Sequence, residues 1–97
     1  MEVEINDKNQ TKEWLHIIED SLNKNGSVTI HGSGRHIIKC ISLAEIIKRE
    51  APIVTHNPQI YRTTSLSKPV SNIKIELKCA NKISIEYHPT LKPIKVI

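Results

Sequence analysis

Apolar and polar positions alternate, then recur at helical spacing, then alternate again along the 97 residues of this chain. From Met1 to Asn6, Val3 and Ile5 fall on one side and Glu2 and Glu4 on the other, the period-two pattern of a half-buried strand. A polar connection from Asn6 to Thr11 follows, in which Asn9 or Thr11 can cap a helix. Between Lys12 and Asn25 the apolar residues Trp14, Leu15, Ile17, Ile18 and Leu22 return every three or four positions, and Asn25-Gly26 supplies a stop. Val28 to His31 reads as a second strand. A second helix is predicted from about Arg35 to Glu50, with Ile37, Ile38, Ile41, Ala44, Glu45 and Ile47 on a broad stripe and Lys39, Ser42 and Lys48 on a polar one. That stripe is wide enough to cover a sheet and also to touch a second molecule. Ala51-Pro52 ends the helix.

Ile53 to Leu66 is rich in β-branched residues and predicts a strand, with Pro58 confining it to an edge or marking a bulge. Ser67-Lys68-Pro69 reads as a turn. From Val70 to Cys79, Ile73, Ile75, Leu77 and Cys79 face one way and Lys74, Glu76 and Lys78 the other, which completes a hairpin. Ile83 and Ile85 offer a fifth strand, and the last residues, with Pro89 and Pro93, an extended tail. The order β-α-β-α-β-β predicts an α+β fold, a two-layer α/β sandwich. Two helices cover one face of a mixed four-stranded sheet, with a short extra C-terminal strand or tail. The length suits one domain over residues 1–97, with its core in about 1–80 and a C-terminal extension in 81–97.

Composition narrows the chemistry. Fourteen Lys and Arg against ten Asp and Glu leave a net charge of +4, spread along the chain rather than gathered in a tail. Such an excess suits weak binding to phosphate backbones and is equally common in proteins without a nucleic-acid partner. The acidic start MEVEINDKNQ is unlike a signal peptide, and no apolar run approaches the ~18 residues of a membrane span. An intracellular protein of cytoplasm or nucleus, without membrane association, is expected. Cys40 and Cys79 form no close pair and are read as reduced thiols used as small apolar residues. The five histidines show no metal-ligand spacing, so neither metal nor cofactor is expected. No carboxylate pair is placed for acid-base work and Cys40 falls on a packing surface, so no enzyme is expected.

The stretch from Val28 to Glu50 carries the most chemistry, because a strand, a glycine turn and a helix N-terminus bring backbone N–H groups and positive charge to one point. Arg35 stands where the helix dipole favours an anion, which points to phosphate contact against the plain reading of a surface arginine. Gly32 and Gly34 serve either a turn with positive φ or the close approach of a phosphate, and the two readings are compatible. Lys39, one turn on, offers a point charge to phosphate or simply a solvated face. Trp14 reads as a core or interface side chain rather than a base-stacking one.

Gly32, Gly34, Ile37, Lys39, Ile41, Ala44, Glu45 and Ile46 fall without a gap on the pattern G-x-G-x-A-I-x-K-A-I followed by an A-E-I-like helix. In this motif and its order of elements the chain resembles the Alba family of chromatin and RNA-binding proteins, which includes the small paired subunits of ribonuclease P and MRP. Ile73, Ile75 and Leu77, followed by Tyr87 to Leu91, are similar to the ending of eukaryotic relatives. The resemblance implies RNA or DNA as partner and a homodimer, or a heterodimer with another Alba-like chain, formed through the second helix at Ile38, Ile41 and Glu45. It also implies three nucleic-acid-binding regions: the loop at Asp7 and Lys8, the segment from His31 to Lys39, and the hairpin from about Arg62 to Lys68.

Within these regions and beside them, the candidate contacts are Lys8, Lys12, Gly32, Ser33, Gly34, Arg35, His36, Lys39, Arg62 and Lys68. Lys8, Lys12, Arg62 and Lys68 divide between phosphate contact and ordinary surface charge, and His36 between a ribose or base contact and a solvated ring. The chain departs from the family pattern at Asp7, at Ser33 and at His36 in place of the usual alanine, and its hairpin carries little charge. These losses argue for RNA over the coating of duplex DNA. The alternatives are an interaction subunit of a ribonucleoprotein, paired with a second Alba-like chain, and a chromatin DNA-binding protein.

Overall fold

The computed structural model describes residues 1–85. The chain runs β1 (Glu2–Glu4), α1 (Thr11–Asn25), β2 (Ser27–Ser33), α2 (His36–Glu50), β3 (Thr55–Ser65) and β4 (Lys68–Lys78). The sheet order is β1-β2-β4-β3, with β1 parallel to β2 and the other neighbours antiparallel. This is the expected α+β architecture, a mixed sheet with two helices.

Local chemistry sets the boundaries. The cap of α1 is Gln10 rather than Asn9 or Thr11, and its backbone N–H donates to the Glu13 carboxylate at 2.8 Å. At the other end Gly26 takes a left-handed φ of 76° and donates to the Leu22 carbonyl at 2.8 Å, closing the helix. Trp14, Leu15, Ile18 and Leu22 from α1 and Cys40, Leu43, Ala44 and Ile47 from α2 are buried against Val28, Ile30, Ile73, Ile75 and Leu77 of the sheet. Trp14 is thereby a core side chain, its indole N–H donating to the Asn6 carbonyl at 3.3 Å, and the base-stacking reading is set aside. Cys40 and Cys79 are both buried thiols, and burial pushes Cys40 up to about 11.

The broad stripe read on the second helix divides in two. Ala44 and Ile47 enter the core, while Ile38 and Ile41 stay exposed on the helix flank. Gly32 is also reassigned: it lies within β2, and a Cβ there would overlap Cys40 Sγ and sit 2.9 Å from the His36 carbonyl oxygen. Its missing side chain lets the first turn of α2 rest on the sheet. Only Gly34, at φ 56°, uses the left-handed freedom that the turn was expected to need.

Pro58 lies on an edge strand in an unbroken register opposite Ile75, so no bulge is required. The turn expected at Ser67-Lys68-Pro69 is instead Leu66-Ser67, since Ser65 pairs with Lys68 and β4 begins there. Both turn residues have positive φ, 50° and 65°. This is the backbone of a two-residue hairpin, normally served by Asn-Gly, and each side chain in it costs about 1 kcal/mol.

Ile83 and Ile85 join no strand among the described residues. They run along α1, where Asn23 exchanges two hydrogen bonds with the Ile83 backbone, at 2.9 and 3.0 Å, and Glu19 accepts from the Ile85 N–H at 2.6 Å. Two side chains thus replace a strand partner. The tail from Tyr87 onward, on which part of the family resemblance rests, lies outside the described residues.

Candidate nucleic-acid interface

Strand direction gathers the three candidate regions at one end of the sheet. β1 and β2 are parallel, so the loop after β1 and the turn after β2 leave the same edge; β4 is antiparallel, so the hairpin turn before it lies there too. Backbone and side-chain hydrogen bonds lock the arrangement. Gly34 N–H donates to the Ser71 carbonyl at 2.9 Å, and Ser33 Oγ donates to Asn72 Oδ1 at 2.5 Å. Asn72 Nδ2 in turn donates to Thr63 Oγ1 at 3.0 Å and to the Val70 carbonyl at 3.1 Å. Asn72 is a buried polar residue with its amide satisfied on both sides, and it ties the glycine turn to the root of the hairpin. Sequence reasoning missed it. An Asn inside an apolar alternating strand, where its propensity is poor, was the available signal.

The start of α2 is electrostatically exposed. Its cap is Arg35, in helical conformation and without a side-chain cap bond, and its first turn holds no acidic residue. The Asp7 carboxylate, reaching across from the β1–α1 loop, supplies the missing anion: Arg35 Nη2 lies 2.6 Å from Oδ2 and His36 Nδ1 3.7 Å from Oδ1. The anion inferred from an arginine at a helix start is therefore met first from within the chain. Both partners are more than half exposed, and such a pair is easily opened.

The other candidates fall in different places. Lys39 Nζ donates to the Asn9 carbonyl at 3.2 Å, fastening the loop to α2 rather than standing free. Ser33 is committed to Asn72, and the Gly34 N–H to Ser71, so neither of these donors faces an incoming phosphate. Lys8 is exposed on the loop, its backbone N–H held by Asn6 Oδ1 at 2.8 Å. Lys12, in the first turn of α1, lines a groove with Leu15, His16, Glu19 and Ile85. Arg62 and Lys68 are exposed on the hairpin. Residues 51–75 contain Arg62, Lys68 and Lys74 and no Asp or Glu.

A second surface lies on the flank. β3 extends beyond the cover of α2 and leaves a groove walled by Ile41, Glu45 and Lys48 on one side and His56, Pro58 and Ile60 on the other. Ile38 is 73% exposed and Ile60 71%. His56 Nε2 is buried in this region with no hydrogen-bond partner among the described residues. Burial, and secondarily the Lys48 ammonium, hold His56 below the ordinary histidine value, with Glu45 acting the other way.

Among the described residues no group of three or more His, Cys, Asp and Glu could hold a metal ion, and no helix is long and apolar enough to cross a membrane.

Comparison with known proteins places this geometry. No curated protein matches the chain in sequence. In structure it is similar to Alba from Thermoplasma volcanium, at a TM-score of 0.64 and 20% identity over 81% of this chain and 100% of that one. It is also similar to ALBA1 from Trypanosoma brucei, at a TM-score of 0.67 and 20% identity over 79% of this chain and 67% of that one. The Alba family profile matches residues 2–68, well over half of the sequence. The chain belongs to the Alba family, whose members are in general nucleic-acid-binding, typically oligomeric proteins rather than enzymes.

Proposed function

We propose that the protein binds RNA in preference to duplex DNA, through phosphate and ribose contacts made at the sheet end that bears Lys8, Arg35, His36, Arg62 and Lys68. The observation that carries this reading is the start of α2: a helix without a cap bond or a first-turn acid, opened by Arg35 and His36, whose counterion is a solvent-exposed carboxylate. A phosphate can take the place of that carboxylate without breaking buried structure. RNA is favoured because Asp7 and a sparsely charged hairpin leave too few cations for tight, sequence-neutral coating of a duplex. Lys39 acts in this scheme mainly by holding the loop in place. The flank groove joins two chains, with Ile38, Ile41 and Glu45 of α2 and Ile60 of β3 in the interface.

Fluorescence anisotropy with labelled single-stranded RNA, structured RNA and duplex DNA, each at low and physiological salt, tests the reading. The expected order is RNA tighter than duplex, with affinity falling steeply as salt rises. The Arg35→Glu variant should bind at least about tenfold more weakly and lose about one from the salt slope. Unchanged affinity would remove this site, and a preference for duplex would favour a chromatin role.

The Asp7 pairing favours one second reading, an interaction subunit that needs a second Alba-like chain to bind nucleic acid. No binding by the isolated chain even at low salt would put that reading first.

A further inference from the structure

The hairpin turn carries two unfavourable features that nothing among the described residues offsets. Leu66 holds a left-handed φ of 50° that Gly or Asn would adopt freely, and it is 94% exposed, so its side chain gains almost no packing in return. Its position adds meaning to the strain. β2 last pairs with β4 at Ser33 and Asn72, so the strand partners of Lys68 to Ser71 are Arg62 to Ser65 of β3, with the Gly34 N–H bond to the Ser71 carbonyl holding the base. Those four rungs project as a two-stranded ribbon about 13 Å long, with Leu66 at its apex.

The ribbon is suited to a polyanion. Arg62 shares the face of Ile60 and Thr64, and Lys68 the face of Val70 and Asn72, so the two cations flank the apex from opposite sides. Thr63, Thr64 and Ser67 around them are exposed, and no carboxylate occurs between Glu50 and Glu76. A protein partner would call for a contiguous apolar patch; at the apex Leu66 rises from a hydroxyl-rich surround with two cations, while the exposed Ile60 and Tyr61 lie back at the root of the ribbon. Cations on phosphates with an apolar wedge between bases is an arrangement that unstacks nucleic acid.

We propose that Leu66 is a base-contacting residue: it seats between neighbouring unpaired bases of the RNA while Arg62 and Lys68 hold the phosphates on either side. The inference rests on the RNA-binding reading and extends it from backbone contact to contact with the bases. It accounts for a leucine at a position where turn geometry asks for Gly or Asn.

The test uses a hairpin RNA with 2-aminopurine in its loop, titrated with the full chain and with Leu66→Asn, Leu66→Met and the Arg62→Ala, Lys68→Ala double variant. Wild type should raise the 2-aminopurine fluorescence as the base unstacks. Leu66→Asn relieves the turn, so its Tm should hold or rise, yet its affinity should fall about 5- to 30-fold with the salt slope unchanged and the fluorescence rise lost. Leu66→Met should keep both signals. The double cation variant should instead lower the salt slope by about two. Wild-type affinity and fluorescence in Leu66→Asn would overturn the inference and leave phosphate binding standing. A change in oligomeric mass without a change in affinity would overturn it in favour of a protein contact. Failure of wild type to bind any RNA at low salt would overturn both this inference and the function it extends.

Discussion

At the scale of single residues, the Gly-Ser-Gly turn shows how one motif combines unlike demands. Gly32 is set by packing and Gly34 by backbone conformation, although the sequence presents them as equivalents. Gly32→Ala should destabilise by about 1–3 kcal/mol, because the His36 carbonyl that the new Cβ meets at 2.9 Å is backbone and cannot swing aside. Gly34→Ala meets nothing within 4 Å and should lose only the smaller cost of its φ, about 1 kcal/mol. Thermal melts of the two variants decide it, and equal losses would show that Gly32 is not a packing residue. Asp7 makes the complementary case for binding. Because its carboxylate competes with phosphate for Arg35 and His36, Asp7→Asn should tighten RNA binding at low salt and lose that advantage at high salt, with little change in Tm. Equal affinities across a salt series would mean that Asp7 is a bystander. Neither role was legible from residue type alone: a strand glycine and a loop aspartate acquire them from partners 4 to 29 positions away.

At the scale of elements, α2 is the shared wall of two surfaces, its start at the end proposed to bind nucleic acid and its flank facing the groove. Its length, its start near Arg35 and its end at Ala51-Pro52 were legible because spacing, glycines and proline all act locally. The division of its apolar residues was not, because periodicity identifies an apolar side without saying how much of it the sheet can cover. Cys40, Leu43, Ala44 and Ile47 are the covered part, while Ile38 and Ile41 remain exposed. β3 and β4 show the same limit, since their alternation was plain but the turn between them was displaced from the expected Ser67-Lys68-Pro69 to Leu66-Ser67. A turn made of side chains that dislike positive φ has no signature to read. The uncovered flank leads to an element-level prediction. Ile41→Glu or Ile60→Glu places a charge on a face that the proposed dimer buries but the monomer exposes. Either variant should fold and melt as a monomer by light scattering, at a mass half that of wild type, and a persistent dimer would locate the interface elsewhere.

At the scale of the whole molecule, the end of the sheet proposed to bind nucleic acid and the flank groove are separate regions, and His56 lies in the second, in β3, where neither motif nor family pattern drew notice to it. Burial disfavours the charged form of its ring in the fold, with Lys48 reinforcing and Glu45 opposing, and its Nε2 has no partner among the described residues. A histidine with a lowered folded value binds fewer protons folded than unfolded. Its contribution is therefore complete above the ordinary histidine value of 6.5 and erodes as pH falls through it, until the lowered folded value is passed. Pairing of two chains over the groove would bury the ring further and enlarge the effect, so both Tm and dimer affinity should decline on going from pH 7.5 to pH 5. His56→Gln removes the titrating group while keeping a polar side chain. The difference between wild type and this variant should be constant above pH 6.5 and shift in favour of the variant below it, because every other titrating group is common to both. Parallel Tm curves across that range would mean that the groove admits water to the protonated ring, and would remove His56 as a source of acid sensitivity.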